Sequence, residues 1–326
     1  RRPLVSAVSS SFVVKVRRSF LSPPPTMRSA LPSRLGLFVL GLLLLPLTAL
    51  AQPSDALQSP ATFLGYELGE QFTPHHRVMD YVEHVAEHSS RVAHRQYGTS
   101  VEGRPLLLAT VTAPNNHDRL ETLRRDNRKR AGLVEGSPQA APTAVVWLSY
   151  SVHGNESVST EAALRTLYAL GNPQNDRTGT WLDDTVVLLD PILNPDGRSR
   201  YVQWYKRTAG DAPNARPAAR EHHEPWPSGR TNHYYFDLNR DWAWGTQPET
   251  RQRLDAYHRW MPHVHVDFHE MGVDEPYYFA PGAEPFHETL TEWQRDFQFT
   301  IGRNNADYFD ENGWLYFTEE VFDLFY

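Results

Sequence analysis

The sequence predicts an α/β fold: a mixed, mostly parallel central sheet with helices on both faces. Three observations carry that prediction. Ala144 to Tyr150 (AVVWLSY) is a short apolar run rich in Val and Trp, and Thr160 to Leu170 (TEAALRTLYAL) after it has apolar residues at helical spacing. Thr185 to Ile192 (TVVLLDPI) repeats the buried-strand signal. Thr246 to Met261 (TQPETRQRLDAYHRWM) is a helical pattern with Pro248 at its start, and it leads into the alternating run His263 to Glu270 (HVHVDFHE). Strands that alternate with helical segments pack as a sheet covered on both faces.

Taken in order, the chain opens on Arg1, and its first methionine is Met27. Residues 1–26 are therefore expected to be upstream translation outside the fold. From Met27 a basic start, the apolar block Leu35 to Leu47 and the ending Ala49-Leu50-Ala51 make a secretory signal over 27–51, cleaved after Ala51. The block is interrupted by Pro46 and falls short of the roughly 20 residues that cross a bilayer. The expectation is a secreted or periplasmic protein with no membrane attachment after cleavage, a linker over 52–72 and one domain over 73–326. The chain has no Cys, which excludes disulfides, a thiol nucleophile and thiolate metal ligands together. A net charge of −7 gives no electrostatic reason to expect nucleic acid as a partner.

Pro74 to Ser89 has Val78, Tyr81, Val82 and Val85 at helical spacing, with its four His mostly on the polar side and expected to be surface groups. Tyr97 to Val111 (YGTSVEGRPLLLATV) reads as a hairpin turning at Glu102-Gly103. Asn115 to Ala131 mixes bases with acids, as on a solvated helix, and lacks the interleaved aromatics of a nucleic-acid surface. Thr208 to Ser228 is a Pro-rich excursion, and His222 and His223 within it are loop residues.

Chemistry concentrates where strands end. After AVVWLSY the chain breaks at a Gly-Asn turn that presents His153 and Glu156 three positions apart, and an imidazole and a carboxylate so placed can point at one ion. In open α/β sheets that end of the strands is where ligands bind. His269 lies at the end of HVHVDFHE and is the expected third ligand, whereas His263 and His265, further down the strand, are expected to be buried and hydrogen-bonded. TVVLLDPI runs into the turn Asn194-Pro195-Asp196-Gly197, after which Arg200 and Arg207 are available to reach back. In Tyr234 to Trp242 (YYFDLNRDW), Arg240 could hold a carboxylate in a bidentate fork, Asn239 adds an amide, and Asp237 could accept the spare N–H of a ligand His.

YGTSVEGRPL, the H-x-x-E of HGNES, NPDG, DLNR and a late His at a strand end occur in the order seen in zinc carboxypeptidases of the carboxypeptidase A type, and over roughly Thr73 to Tyr326 the sequence resembles a secreted, bacterial-type member of that family. The resemblance implies one Zn2+ per chain held by His153, Glu156 and His269, with Asp237 behind the first His. It implies that Asn239 and Arg240 bind the terminal carboxylate of a peptide or protein substrate with a free C-terminus. It also implies an Arg after NPDG, either Arg200 or Arg207, that polarises the scissile carbonyl. The family's general-base Glu and capping Tyr come several dozen residues after the third ligand, so the chain is expected to be cut inside its domain, with the base beyond Tyr326. Glu270 adjoins a ligand, but successive strand residues point to opposite faces, and it is expected to aim away from the metal.

The expected function is zinc-dependent hydrolysis of C-terminal peptide bonds. Two alternatives share the site: a zinc amidohydrolase acting on N-acyl amino acids or peptidoglycan stem peptides, and a non-catalytic relative that binds carboxylates.

Overall fold

The structure, a computed structural model, describes residues 8–13, 56–210, 212–272 and 274–319, residues 8–13 as backbone. The signal segment expected over 27–51 lies outside the described residues. The elements before the first candidate ligand are β1 (Val8–Val13), α1 (Pro60–Leu64), α2 (His75–His88), β2 (Val92–Thr99), β3 (Pro105–Val111), α3 (Pro114–His117), α4 (Leu120–Arg130) and β4 (Ala144–Tyr150). After it come α5 (Val158–Gly171), α6 (Asp176–Leu182), β5 (Thr185–Asp190), α7 (Pro195–Thr208), α8 (Pro248–Trp260), β6 (Val264–His269), β7 (Tyr277–Tyr278), α9 (Glu292–Asn312) and β8 (Tyr316–Phe317).

The main sheet has the order β1-β6-β4-β5-β3-β2. Strands β1, β6, β4 and β5 run parallel, while β3 lies antiparallel to β5 and β2 antiparallel to β3. This is the mixed, mostly parallel sheet that the sequence predicts. Period-2 alternation sends neighbouring side chains to opposite faces, and two separate cores result. Leu107, Ala109, Val111, Tyr150, Val187 and Leu189 pack with α2 and α5 on one face. Leu108, Val145, Trp147, Val186 and Leu188 pack with Leu123 of α4 and with Ala256 and Trp260 of α8 on the other. Fully burying each such side chain contributes about 1.5–3 kcal/mol, so both faces stabilise the strands that carry the site.

Four local expectations are corrected. The segment 1–26, placed outside the fold by its position before Met27, contributes β1, which pairs in parallel with β6 from Val8↔Val264 to Val13↔His269. Without it the outer edge of β6 would present unpaired backbone N–H and C=O groups. The linker 52–72 contains α1, whose N-cap Ser59 accepts the N–H of Thr62 at 3.2 Å, and Leu57, Phe63 and Leu64 join the core around α2. NPDG begins a helix rather than a free turn. Asn194 caps α7 by accepting the N–H of Gly197 at 3.0 Å, and Pro195 occupies its first position. Of the His on α2, His84 is buried and its Nε2 accepts the N–H of Gln58 at 3.0 Å, while His75 Nε2 lies 3.1 Å from the carbonyl of Pro105.

Candidate metal centre

Strands β4 and β6 are parallel neighbours with Tyr150 opposite Phe268, so the loop leaving β4 and the last residue of β6 emerge at one end of the sheet. That register brings His153, Glu156 and His269 together, and each offers a ligand atom within 4.8 Å of the others. His153 Nδ1 lies 2.7 Å from Glu156 Oε1, and His269 Nδ1 lies 3.2 Å from Glu156 Oε2 and 3.3 Å from His153 Nδ1.

The remaining ring nitrogens face carboxylates. His153 Nε2 is 3.2 Å from Asp237 Oδ1, as the sequence suggests, and His269 Nε2 is 3.1 Å from Asp267 Oδ2, a partner the sequence reading did not single out. With Nε2 donating to its carboxylate, each ring would present Nδ1 as the lone-pair nitrogen to an ion. Two imidazoles and a carboxylate with both rings so oriented fit a zinc ion.

Electrostatics point the same way. Burial would raise the Glu156 carboxyl, but hydrogen bonds from His153 and His269 hold it down to about 2. Burial would lower His269, but hydrogen bonds to Asp267 and Glu156 lift it to about 10. The carboxylates thus draw positive charge to the cluster, which a bound cation would supply in place of the imidazole protons.

Three motifs lock this arrangement by close approach. A Cβ on Gly154 would collide with the backbone of Gly197, Arg198 and Gly229, so HGNE, NPDG and the segment before Asp237 meet backbone to backbone. The Asn194 amide donates to the carbonyls of Val152 at 3.3 Å and Arg230 at 3.0 Å. Asp196, also buried, accepts from Ser100 Oγ at 2.6 Å, Glu102 N at 3.0 Å and Arg104 Nη1 at 2.7 Å, which fastens the β2–β3 hairpin to α7.

Other sequence candidates fall elsewhere. Arg200 spends its guanidinium on the carbonyls of Ser228 at 2.7 Å, Thr231 at 3.4 Å and Asn232 at 3.1 Å. Arg207 is exposed in the last turn of α7, and Arg198 on the same helix is buried and paired with Glu161 at 3.0 Å. A cation that does face the cluster is Arg230. Its Nε and Nη2 each lie 3.1 Å from Asp237 Oδ2, and its Nη1 lies 3.7 Å from Glu156 Oε1. Nothing in its local sequence signals this, because the contact depends on how the 228–237 loop returns to HGNE.

Asn239 and Arg240 occupy a single 3-10 turn, Leu238–Arg240, directly after Asp237, and Arg240 is exposed. Glu270 follows the last residue of β6: its carboxylate accepts the N–H of Val158 at 2.6 Å at the start of α5, and its own N–H donates to Glu156 Oε2 at 2.9 Å. Burial, reinforced by the Glu156 charge, pushes its carboxyl up to about 8. His265 is buried with Nε2 2.5 Å from Ser149 Oγ. His263 is exposed instead of buried, although Nδ1 still accepts the N–H of Val145 at 3.0 Å, because β6 begins one residue after it.

Comparison with known proteins agrees with this geometry. Residues 78–301 match the family described as zinc carboxypeptidase. Carboxypeptidase Z of Gallus gallus is 26% identical over 260 residues, which cover 76% of this chain and 31% of that protein. The crystal structure of carboxypeptidase A from Helicoverpa armigera superposes with a TM-score of 0.53 at 17% identity, over 79% of this chain and 59% of the other. That of a metallo-carboxypeptidase from Burkholderia cenocepacia gives 0.51 at 20% identity, over 75% and 52%. The chain thus spans about a third to three fifths of the length of these proteins.

Proposed function

The chain belongs to the zinc carboxypeptidase family, and on that footing we propose that its site hydrolyses the C-terminal peptide bond of substrates with a free carboxylate. The observation that carries the proposal is the convergence of His153, Glu156 and His269 with both imidazoles backed by carboxylates. Zinc, when held there, supplies a Lewis acid that activates water and polarises the scissile carbonyl.

The chain's own groups supply the rest. Asp237 and Asp267 keep both His in the tautomer that presents Nδ1 to the ion. Arg230, braced on Asp237 with one Nη turned to the cluster, is placed to balance negative charge that develops on the carbonyl oxygen. Arg240 with Asn239, in the turn that follows Asp237, would hold the terminal carboxylate so that the last peptide bond reaches the ion. Glu270 is committed to the N-terminus of α5, so no described acid is assigned as general base. The signal-like segment over 27–51 supports action after export.

The test is hydrolysis of paired peptides that differ only in a free or an amidated C-terminus, with zinc content measured on the same sample. Release of the last residue from the free peptide alone supports the proposal. Cleavage of both forms alike, or stoichiometric zinc with no cleavage of either, refutes it.

A further inference from the structure

Four large aromatic side chains stand in solvent on the stretch that runs into Asp237: Trp226 is 84% exposed, Tyr234 58%, Tyr235 53% and Phe236 50%. Single exposed apolar residues are ordinary, but a group of them on one short stretch is not. Phe236 is followed directly by Asp237, the partner of His153.

The backbone that carries them is built to hold them out. Asn232 is fully buried, and its Oδ1 accepts the N–H groups of Tyr234 and Phe236, both at 3.0 Å. Its Nδ2 donates to Gln247 Oε1 at 2.9 Å, which ties the loop to the start of α8. The N–H of Asn232 reaches the carbonyl of Phe236 at 3.0 Å, and the N–H of Tyr235 that of Asn232 at 3.2 Å. Beneath the loop, Arg200 holds the carbonyls of residues 228, 231 and 232 and lies 5.5 Å from the Tyr235 ring. Tyr235 itself has a φ of 65°, a region that bulky residues rarely adopt and that persists only when its surroundings impose it. The Tyr235 ring is tilted against that of Trp226 at a centroid distance of 5.5 Å.

We propose that Trp226 and Tyr235 form a subsite that receives an aromatic or large apolar side chain of the substrate peptide. The proposal rests on the carboxypeptidase reading of the adjacent site and names the specificity of that same site. Consecutive Cα atoms are about 3.8 Å apart, and an extended peptide advances about 3.3–3.6 Å per residue. The Cα of Tyr235, two residues before Asp237, is therefore within about 7 Å of that of Asp237, the span of about two substrate residues. Rigidly presented aromatic rings give contact area at little entropic cost.

The chemistry favours an apolar side chain over a sugar. A sugar ring needs polar groups to pair its hydroxyls, and two on the same loop are already engaged. The Asn232 amide is buried and bonded, and the Glu224 carboxylate accepts from Asn155 Nδ2 at 2.9 Å and from the N–H of Gly229.

The experiment compares wild type with Trp226→Ala and Tyr235→Asn on a peptide series in which each of the last three positions carries Phe or Ala in turn. Asn tolerates the left-handed backbone, so Tyr235→Asn removes the ring without a change of φ. At one position wild type should favour Phe by about tenfold in kcat/KM, the effect of about 1.4 kcal/mol of ring contact and apolar burial. In both variants that ratio should fall toward one while zinc content and the circular-dichroism spectrum are retained. No Phe preference in wild type, or a ratio unchanged by both substitutions, overturns the proposal. Calorimetric binding of the same peptides gives the same ranking independently of turnover, so a catalytically silent protein that still prefers Phe defeats the proposed function and leaves the subsite standing. Tighter binding of a disaccharide-bearing peptide than of its sugar-free counterpart would replace the apolar side chain with a sugar.

Discussion

Asp267 Oδ2 lies 3.1 Å from His269 Nε2, two residues along the same strand and on the same face, and this contact decides which nitrogen of His269 is turned to Glu156. The β6 strand thus supplies both a candidate ligand and the group that orients it. A strand is stiff enough to fix that geometry, where a loop would not be.

His153→Ala and His269→Ala should each abolish stoichiometric zinc in a protein that keeps its circular-dichroism spectrum. Asp267→Asn should weaken zinc binding by about 10–100-fold without abolishing it, because it removes the orienting carboxylate and leaves the ligand. Competition with a chromogenic chelator measures both, and unchanged affinity in Asp267→Asn would remove it from the site.

Arg230→Ala should lower kcat by about 10²–10³, the usual effect of losing a group that stabilises developing negative charge. Arg207→Ala, at an exposed position in the last turn of α7, should stay within about twofold. The reverse order in steady-state assays would restore the arginine expected from the sequence.

Arg240→Ala should raise KM for peptides with a free C-terminus far more than for amidated ones, since only the former offer the carboxylate to its fork. An equal effect on both substrates would show that Arg240 acts elsewhere.

Gly154→Ala tests how the motifs are assembled. A methyl group there meets the backbone of Gly197, Arg198 and Gly229, none of which can yield as a flexible side chain does. Urea denaturation should show a loss of about 1–3 kcal/mol or more, with weaker zinc binding. A variant as stable as wild type would mean that these three segments are not packed as described.

Asp190 lies within the sheet, where Tyr97 donates to its Oδ2 at 2.6 Å. Burial raises its carboxyl from 3.8 to about 7, against the opposing hydrogen bond from Tyr97. Its stabilising contribution is therefore complete below the unfolded value and is lost as pH rises through about 7. Relative to wild type, Asp190→Asn should gain stability between pH 4 and 8, by at most about 4 kcal/mol. Parallel denaturation midpoints for the two proteins across that range would contradict the burial of an ionisable Asp190.

The strands β4, β5 and β6 and the helices α5 and α8 were legible because apolar periodicity is a local property, written in AVVWLSY, TVVLLDPI and the residues around them. The candidate ligands were legible for a related reason: His153, Glu156 and His269 sit at strand ends, and strand ends are visible in the sequence. Other features depend on which segments meet across the sheet. Only the parallel register of Tyr150 with Phe268 sets the two His at bonding distance. Only the return of the 228–237 loop brings Arg230, in place of Arg200 or Arg207, to the cluster. Asp196 and Arg104, far apart in sequence and 2.7 Å apart in space, show why YGTSVEGRPL and NPDG accompany the ligands: they fasten the elements that carry them. Local patterning fixes what each segment becomes, whereas long-range backbone contact fixes which side chains face one another, and no period in the sequence encodes that.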